Sequence, residues 1–429
     1  MKIPAGLCVG CGLCVAACPH GALRMATRRD GRPAPDLDRN MCVRCGVCET
    51  VCPQENQRLR DLAERTSRAP DPARVGLEGA SCNLAWDSHD LDGRRLSSSG
   101  GVVTALARRL LADGAADGVV HVKRILAGRG EPHFAATLSR TDEEVASCRG
   151  SAYEAIDFSS VFGMLEPGKR YFVTGTPCLV RGVRRLASSP RFRSVRFITC
   201  ALVCSHNVTP QLIDALADRH GIPKGTRFSV NLRDKDGIEN ASKFNTRYVG
   251  EDGRDLLKME RTASGWTKIW RSYAFALEAC CYCPDFWGGE ADVSVKDAWG
   301  RKEWKRDPLG KSILIVRNHA LERPLRACGL AMEPLAVEDV AYTQPAETSF
   351  KQAAAADKFR HCLLHPANWR NGLLRRRLVA AVSKWMVTAI CLMAASWLSG
   401  KSLSLDLHKV ATPGNLPKSW LVSGGGTVV

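Results

Sequence analysis

Residues 8–19 read CVGCGLCVAACP, and residues 42–53 read CVRCGVCETVCP. Each run is C-x2-C-x2-C-x3-C-P. Thiolates are soft donors, and four of them hold a cubane of iron and sulfide. Three closely spaced cysteines wrap one cluster, and in a doubled motif the fourth, before proline, ligates the other cluster. The spacing therefore assigns Cys8, Cys11, Cys14 and Cys52 to one [4Fe-4S] cluster. Cys42, Cys45, Cys48 and Cys18 go to a second. Gly10, Gly12 and Gly46 let the loops turn tightly and aim backbone N–H groups at sulfur. A pair of zinc sites is the alternative, but zinc knots favour two C-x2-C pairs separated by a longer loop.

These runs resemble a bacterial-type two-cluster ferredoxin domain over residues 5–55. The expected fold is an α+β ferredoxin-like domain over 1–57, then an α/β catalytic body, then a C-terminal helix. The chain of 429 residues is long enough for two or three domains. Its 19 cysteines are odd in number and clustered in motifs, which argues against a secreted disulfide scaffold. The opening MKIPAGLC has no apolar signal core, so a reducing cytoplasmic location is expected. The net charge of +17 is scattered, and no base-reading module accompanies it. Nucleic acid is therefore not an expected partner; a solvated basic surface or an acidic redox partner is.

Residues 58–80, opening RLRDLAERTSRAPDPAR, read as a polar linker. Beyond it the texture is α/β. SSSGGVVTALARRLLADG has apolar residues at helical spacing and Gly114 as a stop, and TDEEV opens a helix with a Thr141–Glu144 capping box. GVVHVKRIL, HFAATL, YFVTG, ADVSV and KSILIVRN read as strands, and RFSVNLRDKDG with KFNTRYV-GEDG-RDLLKM as a strand and a hairpin. TPQLIDALADRHG predicts a helix with Thr209 as N-cap, Pro210 at its first position and Gly221 past its end. Residues 370–400 combine three arginines with an apolar stretch, short for a membrane span. A helix docked on the protein, an interfacial helix giving peripheral contact at the inner membrane face, and a tilted span remain open there; residues 401–429 read as a loose tail.

Clusters move single electrons, whereas most organic reductions need two, and a flavin bridges the two. No G-x-G-x-x-G follows a strand. SSSGG at 97–101 opens a helix, where free N–H groups suit a phosphate. TGTPC at 174–178 is a second strand–turn–helix junction. With CSHN at 204–207, NLRDK at 231–235 and CCYCPDFWGGEADVSVKDAWG from Cys280, the set resembles the beta-subunit family of coenzyme F-420 hydrogenases and dehydrogenases, related to 7-hydroxymethyl chlorophyll a reductase. The likeness runs from about Ser81 to about Arg317, in regions 81–165 and 166–345.

That resemblance implies FAD and a third [4Fe-4S] cluster on Cys178, Cys204, Cys280 and Cys283, with Cys200 and Cys281 as alternative ligands. It places the flavin phosphates near Ser98, Ser99, Gly100, Gly101 and Thr176. Arg233 and Lys235 are candidates for charge near the flavin, against a solvated hairpin edge. His206 is a candidate to deliver a proton, against an ordinary structural histidine. Lys296 stands where the family commonly has glycine, and ALVC replaces Gly-Leu-Phe-Cys before Cys204. Cys82, Cys148, Cys328, Cys362 and Cys391 match no motif and read as structural thiols. The implied function is an iron–sulfur flavoprotein oxidoreductase. It takes electrons from ferredoxin or a partner protein to a hydride-accepting substrate, F-420 or another, in either direction. The alternatives are an electron-transfer subunit of a larger complex and a reductase of polysaccharide biosynthesis.

Overall fold

The computed structural model describes residues 5–299, 307–343 and 351. The segment 370–400, the tail, Cys362 and Cys391 lie outside them. Near the N-terminus, strands β1 (Leu23–Thr27) and β2 (Pro33–Leu37) form an antiparallel hairpin. Two short helices, Leu13–Ala17 and Val47–Thr50, start at Gly12 and Gly46, both left-handed with φ of 72° and 77°. Only glycine adopts that conformation freely, so the two motif glycines set where each cysteine loop turns into helix.

The body is one eight-stranded mixed sheet in the order β13-β3-β12-β11-β7-β6-β4-β5. Its strands are β3 (Ser81–Asp87), β4 (Gly118–Arg124), β5 (Phe134–Ser139), β6 (Arg170–Gly175), β7 (Arg196–Leu202), β11 (Val293–Asp297), β12 (Ser312–Val316) and β13 (Leu330–Leu335). The central run β4-β6-β7-β11 is parallel, and both flanks are antiparallel. The link from β4 to β5 is too short for a crossover, so that pair turns back on itself. A separate antiparallel sheet holds β8 (Phe228–Asp234), β9 (Asn245–Gly250) and β10 (Asp255–Glu260).

Alternation along β6 gives the big sheet two apolar faces. Phe172 joins one core with Val102, Leu106 and Leu110 of the helix Val102–Ala112. Tyr171 and Val173 join the other, with Leu179, Val183 and Leu186 of the helix Pro177–Leu186. Leu13, Ala16, Ala17 and Val51 belong to that second core, so the cysteine-rich segment shares its hydrophobic packing with the body. Residues 1–268 and 275–353 form one compact unit. Ile269–Ala274 belongs to the other, where the Ser272 amide donates to the Ile269 carbonyl at 3.2 Å.

The contact is tight at Gly182. A Cβ there would lie 2.4 Å from Leu13 Cδ1 and 3.4 Å from Pro53 Cδ. Leu13 is fully buried and has little room to yield. Gly182→Val is therefore expected to destabilise the protein by about 1–3 kcal/mol and to expose the N-terminal segment to limited proteolysis. An unchanged cleavage pattern and Tm would show that the packing tolerates the added methyl groups.

Two expectations differ in detail. The segment read as linker contains a helix, Asn56–Arg68, with an Arg68–Glu64 ion pair one turn apart and then a short 3-10 turn, Pro72–Arg74. Its residues 61–68 are mostly exposed, and Pro70 and Pro72 lie beyond its end. The helix Gln211–Arg219 is flanked by Pro210, and Thr209 makes no side-chain cap. The capping box of Thr141 with Glu144 forms as expected on the helix Asp142–Ser147. Among the described residues no helix is long and apolar enough to cross a membrane.

Candidate functional site

Among the described residues, twelve cysteines fall into three groups. Cys8, Cys11, Cys14 and Cys52 line a single cavity of about 540 Å³, together with Arg28, Arg32 and Pro53. Burial pushes the Cys14 and Cys52 thiols up to about 12, and neighbouring thiolate charge within the group adds to the effect. Burial, with the charges of Cys14, Cys52 and Cys8, pushes Cys11 well above the ordinary thiol range. The Gly10 amide donates to Cys8 Sγ at 3.4 Å, and the amides of Leu13, Val15 and Gln54 serve Cys11, Cys14 and Cys52. Such N–H···S bonds stabilise charge on sulfur once a metal replaces the proton.

In the second group Cys48 feels the charges of Cys18 and Cys45, and Cys42 lies on the same loop. This group reaches the surface: Cys45 is exposed, and Met41 and Val43 beside it are 49% and 60% exposed. Arg44 turns the loop with a φ of 59°.

The third group lies in the body, with Cys280 and Cys283 buried and Cys178 and Cys204 partly buried. Cys178 stands in the first turn of the helix Pro177–Leu186, Cys204 follows β7, and Cys280 and Cys283 belong to the helix Glu278–Tyr282 and its C-cap. Burial pushes Cys204 well above the ordinary thiol range, and Cys280, Cys178 and Cys283 add to it. Cys280 is pushed up to about 12 by burial. Burial also opposes charge on Cys283, but Lys351 and Arg181 outweigh it and hold that thiol below its ordinary value. The Asn207 amide donates to Cys280 Sγ at 3.3 Å, and the Thr176 hydroxyl lies 3.1 Å from Cys178 Sγ. Cys200 instead sits in the sheet core beside Val293, and the charge of Cys281 acts on Tyr282. Among the described residues no three metal-binding side chains converge on a point that would hold one ion.

The first and third groups are neighbours. Cys11, Cys178 and Cys280 pack on one small apolar cluster with Val9, Ala155, Leu277 and Ala279.

Elsewhere the loop 98–101 is held from beneath. Arg233 makes a bidentate pair with Asp297, at 2.8 and 3.0 Å, and donates to the Ser98 carbonyl at 3.0 Å and the Tyr153 hydroxyl at 3.2 Å. Its guanidinium lies 4.3 Å from the Phe244 ring centroid and 5.4 Å from that of Trp299. Lys235 donates to the carbonyls of Arg94, Ser99 and Leu309 at 2.6, 3.0 and 2.5 Å. Burial, then the Arg233 and Arg94 charges, press its pKa down to about 7. Both side chains are buried, so neither forms a solvated hairpin edge. Burial works to raise the Asp297 pKa, but Arg233 outweighs it and holds the carboxyl below its usual range.

Gly100 admits no side chain: a Cβ would sit 2.6 Å from the Ala85 carbonyl oxygen. Gly101, with φ 80°, opens the helix Val102–Ala112. The Ser98 hydroxyl pairs with Ser151 at 2.6 Å, and Ser99 donates to the Lys311 carbonyl at 2.6 Å. Thr176 is thus brought to the third cysteine group, and Ser98, Ser99, Gly100, Gly101, Arg233 and Lys235 to one another.

His206 is buried, with Nδ1 3.2 Å from the Ser205 hydroxyl. Burial, then the Lys351 charge, hold its pKa well below the ordinary histidine value. Lys296 points to the opposite face of β11 from Asp297; it donates to Thr343 Oγ1 at 2.6 Å and lies over Trp287. The departure from glycine there leaves the Arg233–Asp297 pair untouched. Residues that sequence reasoning missed are Arg181, Tyr153, Phe244 and Lys351. A two-residue spacing, Arg233 to Lys235 and Asp297 to Trp299, marked the facing sides. Nothing around Lys351 in the sequence marks it.

Comparison with known proteins gives three family matches. "4Fe-4S dicluster domain" matches residues 7–56. The family described as coenzyme F420 hydrogenase/dehydrogenase, beta subunit, matches in two parts, its N-terminal region over 85–162 and its C-terminal region over 168–338. No curated protein matches the chain. Among solved structures, a chain of the F420-reducing [NiFe] hydrogenase complex from Methanosarcina barkeri is similar at 17% identity and a TM-score of 0.42, covering 66% of this chain and 89% of that one. With both parts of the family matched in order behind a dicluster domain, this chain belongs to the coenzyme F420 hydrogenase/dehydrogenase beta-subunit family.

Proposed function

We propose that the protein is an iron–sulfur flavoprotein oxidoreductase that passes electrons between ferredoxin-type clusters, FAD and a hydride-accepting substrate, F-420 or another organic acceptor. The observation that carries this reading is the apolar cluster shared by Cys11, Cys178 and Cys280, which sets the first and third cysteine groups side by side. Clusters would supply one-electron transfer, and FAD the exchange between single electrons and a hydride.

The chain's own part is to hold and shield. Cys8, Cys11, Cys14 and Cys52 would hold one cluster, Cys18, Cys42, Cys45 and Cys48 a second, and Cys178, Cys204, Cys280 and Cys283 a third. Backbone amides and the Thr176 hydroxyl bond to sulfur, and the apolar cluster excludes water between two of the groups. The Ser98–Gly101 loop at the helix start would take the flavin phosphates. Both terminal nitrogens of Arg233 and the Lys235 ammonium donate to the protein, so they shape that loop. His206, buried, has a structural part at rest.

A second reading, an electron-transfer subunit, is favoured by the surface position of the second cysteine group, with Met41, Val43 and Cys45 exposed. Its partner would be a ferredoxin or a companion redox protein of the same complex. One experiment tests the first reading: iron, acid-labile sulfide and released flavin per chain in anaerobically purified protein. About twelve irons and one FAD are expected. About eight irons without flavin would leave only the dicluster domain standing.

A further inference from the structure

Arg181 is 1% exposed, deep in the helix Pro177–Leu186 and one turn after Cys178. Its guanidinium reaches three ways. Nη1 donates to the Pro53 carbonyl at 3.3 Å, directly after Cys52. Nη2 donates to Asp285 Oδ2 at 2.7 Å, two residues after Cys283. Nε lies 3.5 Å from Glu290 Oε1. Asp285 is itself fixed: its other carboxylate oxygen accepts from the Gly288 amide at 2.9 Å, and its carbonyl lies 3.7 Å from Cys283 Sγ. One turn on, Arg185 donates to the Cys52 carbonyl. The two loops are thus tied by a buried cation. Apolar contact already exists here, through Leu13 against Gly182. Burying a guanidinium carries a large desolvation penalty, and a buried ion pair adds little stability over a well-packed apolar pair. Packing alone gives no reason to keep an arginine at this point.

We propose that Arg181 is a positioning residue that ties the Cys52 loop to the Cys283 loop and, by its charge between them, favours the reduced state of the groups both loops bind. The proposal rests on the reading of these cysteines as cluster ligands. Adding an electron to either site adds negative charge, and a fixed positive charge in a low-dielectric interior lowers the free energy of that state. Asp285 acts with the opposite sign.

The test is a redox titration, followed by electron paramagnetic resonance, on anaerobically purified full-length protein with iron counted in each sample. Cys283→Ser identifies the third group's signal by its loss. Arg181→Gln is expected to lower the potentials of the first and third groups. Each shift should be about tenfold in the oxidised-to-reduced ratio at fixed poise, or about 59 mV for one electron. Asp285→Asn is expected to raise the third group's potential, and Arg181→Lys to restore most of what Arg181→Gln loses. Opposite signs for the two charges are a result that a purely structural role does not produce. If Arg181→Gln does not fold alone, Arg181→Gln combined with Asp285→Asn, which leaves no orphaned Asp285 carboxylate, is titrated against Asp285→Asn: lower potentials in the double variant support the proposal, and equal ones overturn it. Iron-replete variants with unmoved potentials overturn the proposal. Wild-type protein without iron overturns the underlying reading, and the proposal with it.

Discussion

Cys283→Ser protein, purified anaerobically, is expected to carry about one-third less iron and sulfide than wild type, a loss of about four irons per chain. The same substitution at Cys200 should leave iron unchanged. Both cysteines are buried, so exposure does not separate them. What separates them is company. Cys283 shares its charge environment with Cys178, Cys204 and Cys280, and the Lys351 and Arg181 charges hold its thiol below the ordinary value. Cys200 is paired in register with Thr174 and Val293 in the middle of the sheet, and burial pushes its thiol up to about 12. A serine at Cys200 places a hydroxyl in that core and is expected to cost about 1–3 kcal/mol of stability. The two variants thus exchange phenotypes: iron loss at Cys283, and destabilisation with full iron at Cys200. Equal iron in wild type and Cys283→Ser would sink the third-cluster assignment. Iron loss at Cys200 would move that assignment to β7.

The N-terminal groups were legible because local spacing alone defines them. Three cysteines within seven residues, with glycine where the chain must turn left-handed, dictate a loop that wraps something. The strand–helix order of the body was legible for a similar reason: alternation and helical spacing are local. Which cysteines of the body would meet was not a local matter. Cys178, Cys204 and Cys280 lie on a helix start, a strand end and a distant helix, and only the parallel order β6-β7-β11 draws those ends together. The family resemblance supplied that set where spacing left Cys200 and Cys281 open. Arg233 and Lys235 show the opposite limit. From the sequence they stood open between charge near the flavin and a solvated hairpin edge; Arg233 lies in β8, Lys235 just past its end, and both side chains turn inward to one face. That face meets Asp297, Tyr153 and the carbonyls of the 98–101 loop, all far away in sequence. The connecting helix Asn56–Arg68 was hidden because polarity describes where a segment faces, not whether it is helical.

The second large effect is expected at Arg233. Arg233→Met removes the bidentate partner of Asp297 and the donors to the Ser98 carbonyl and the Tyr153 hydroxyl. Breaking a buried pair from one side leaves an uncompensated charge, so a loss of about 3–5 kcal/mol at pH 7 is expected. The pH dependence identifies the cause. In wild type the Asp297 carboxyl is held below its usual range: burial opposes this, and Arg233 prevails. Its contribution is present above the unfolded value of about 3.9 and is lost only as pH falls through the lower folded value. Without Arg233, the hydrogen bonds from Trp299 and Ser99 alone oppose burial, and the folded pKa rises from its wild-type value. The penalty is then full above the raised folded pKa and is relieved as pH falls through it. The stability gap between variant and wild type should therefore narrow on acidification from pH 7. A gap that stays constant would place the loss in packing against Phe244 and Trp299 rather than in charge. The double variant Arg233→Met with Asp297→Leu should recover most of the stability, since no buried charge is then left unpaired. It should not recover flavin, because the Ser98 carbonyl still lacks its donor and the loop its anchor. Flavin retained at wild-type stoichiometry in the double variant would show that the phosphate-binding reading of Ser98–Gly101 is wrong.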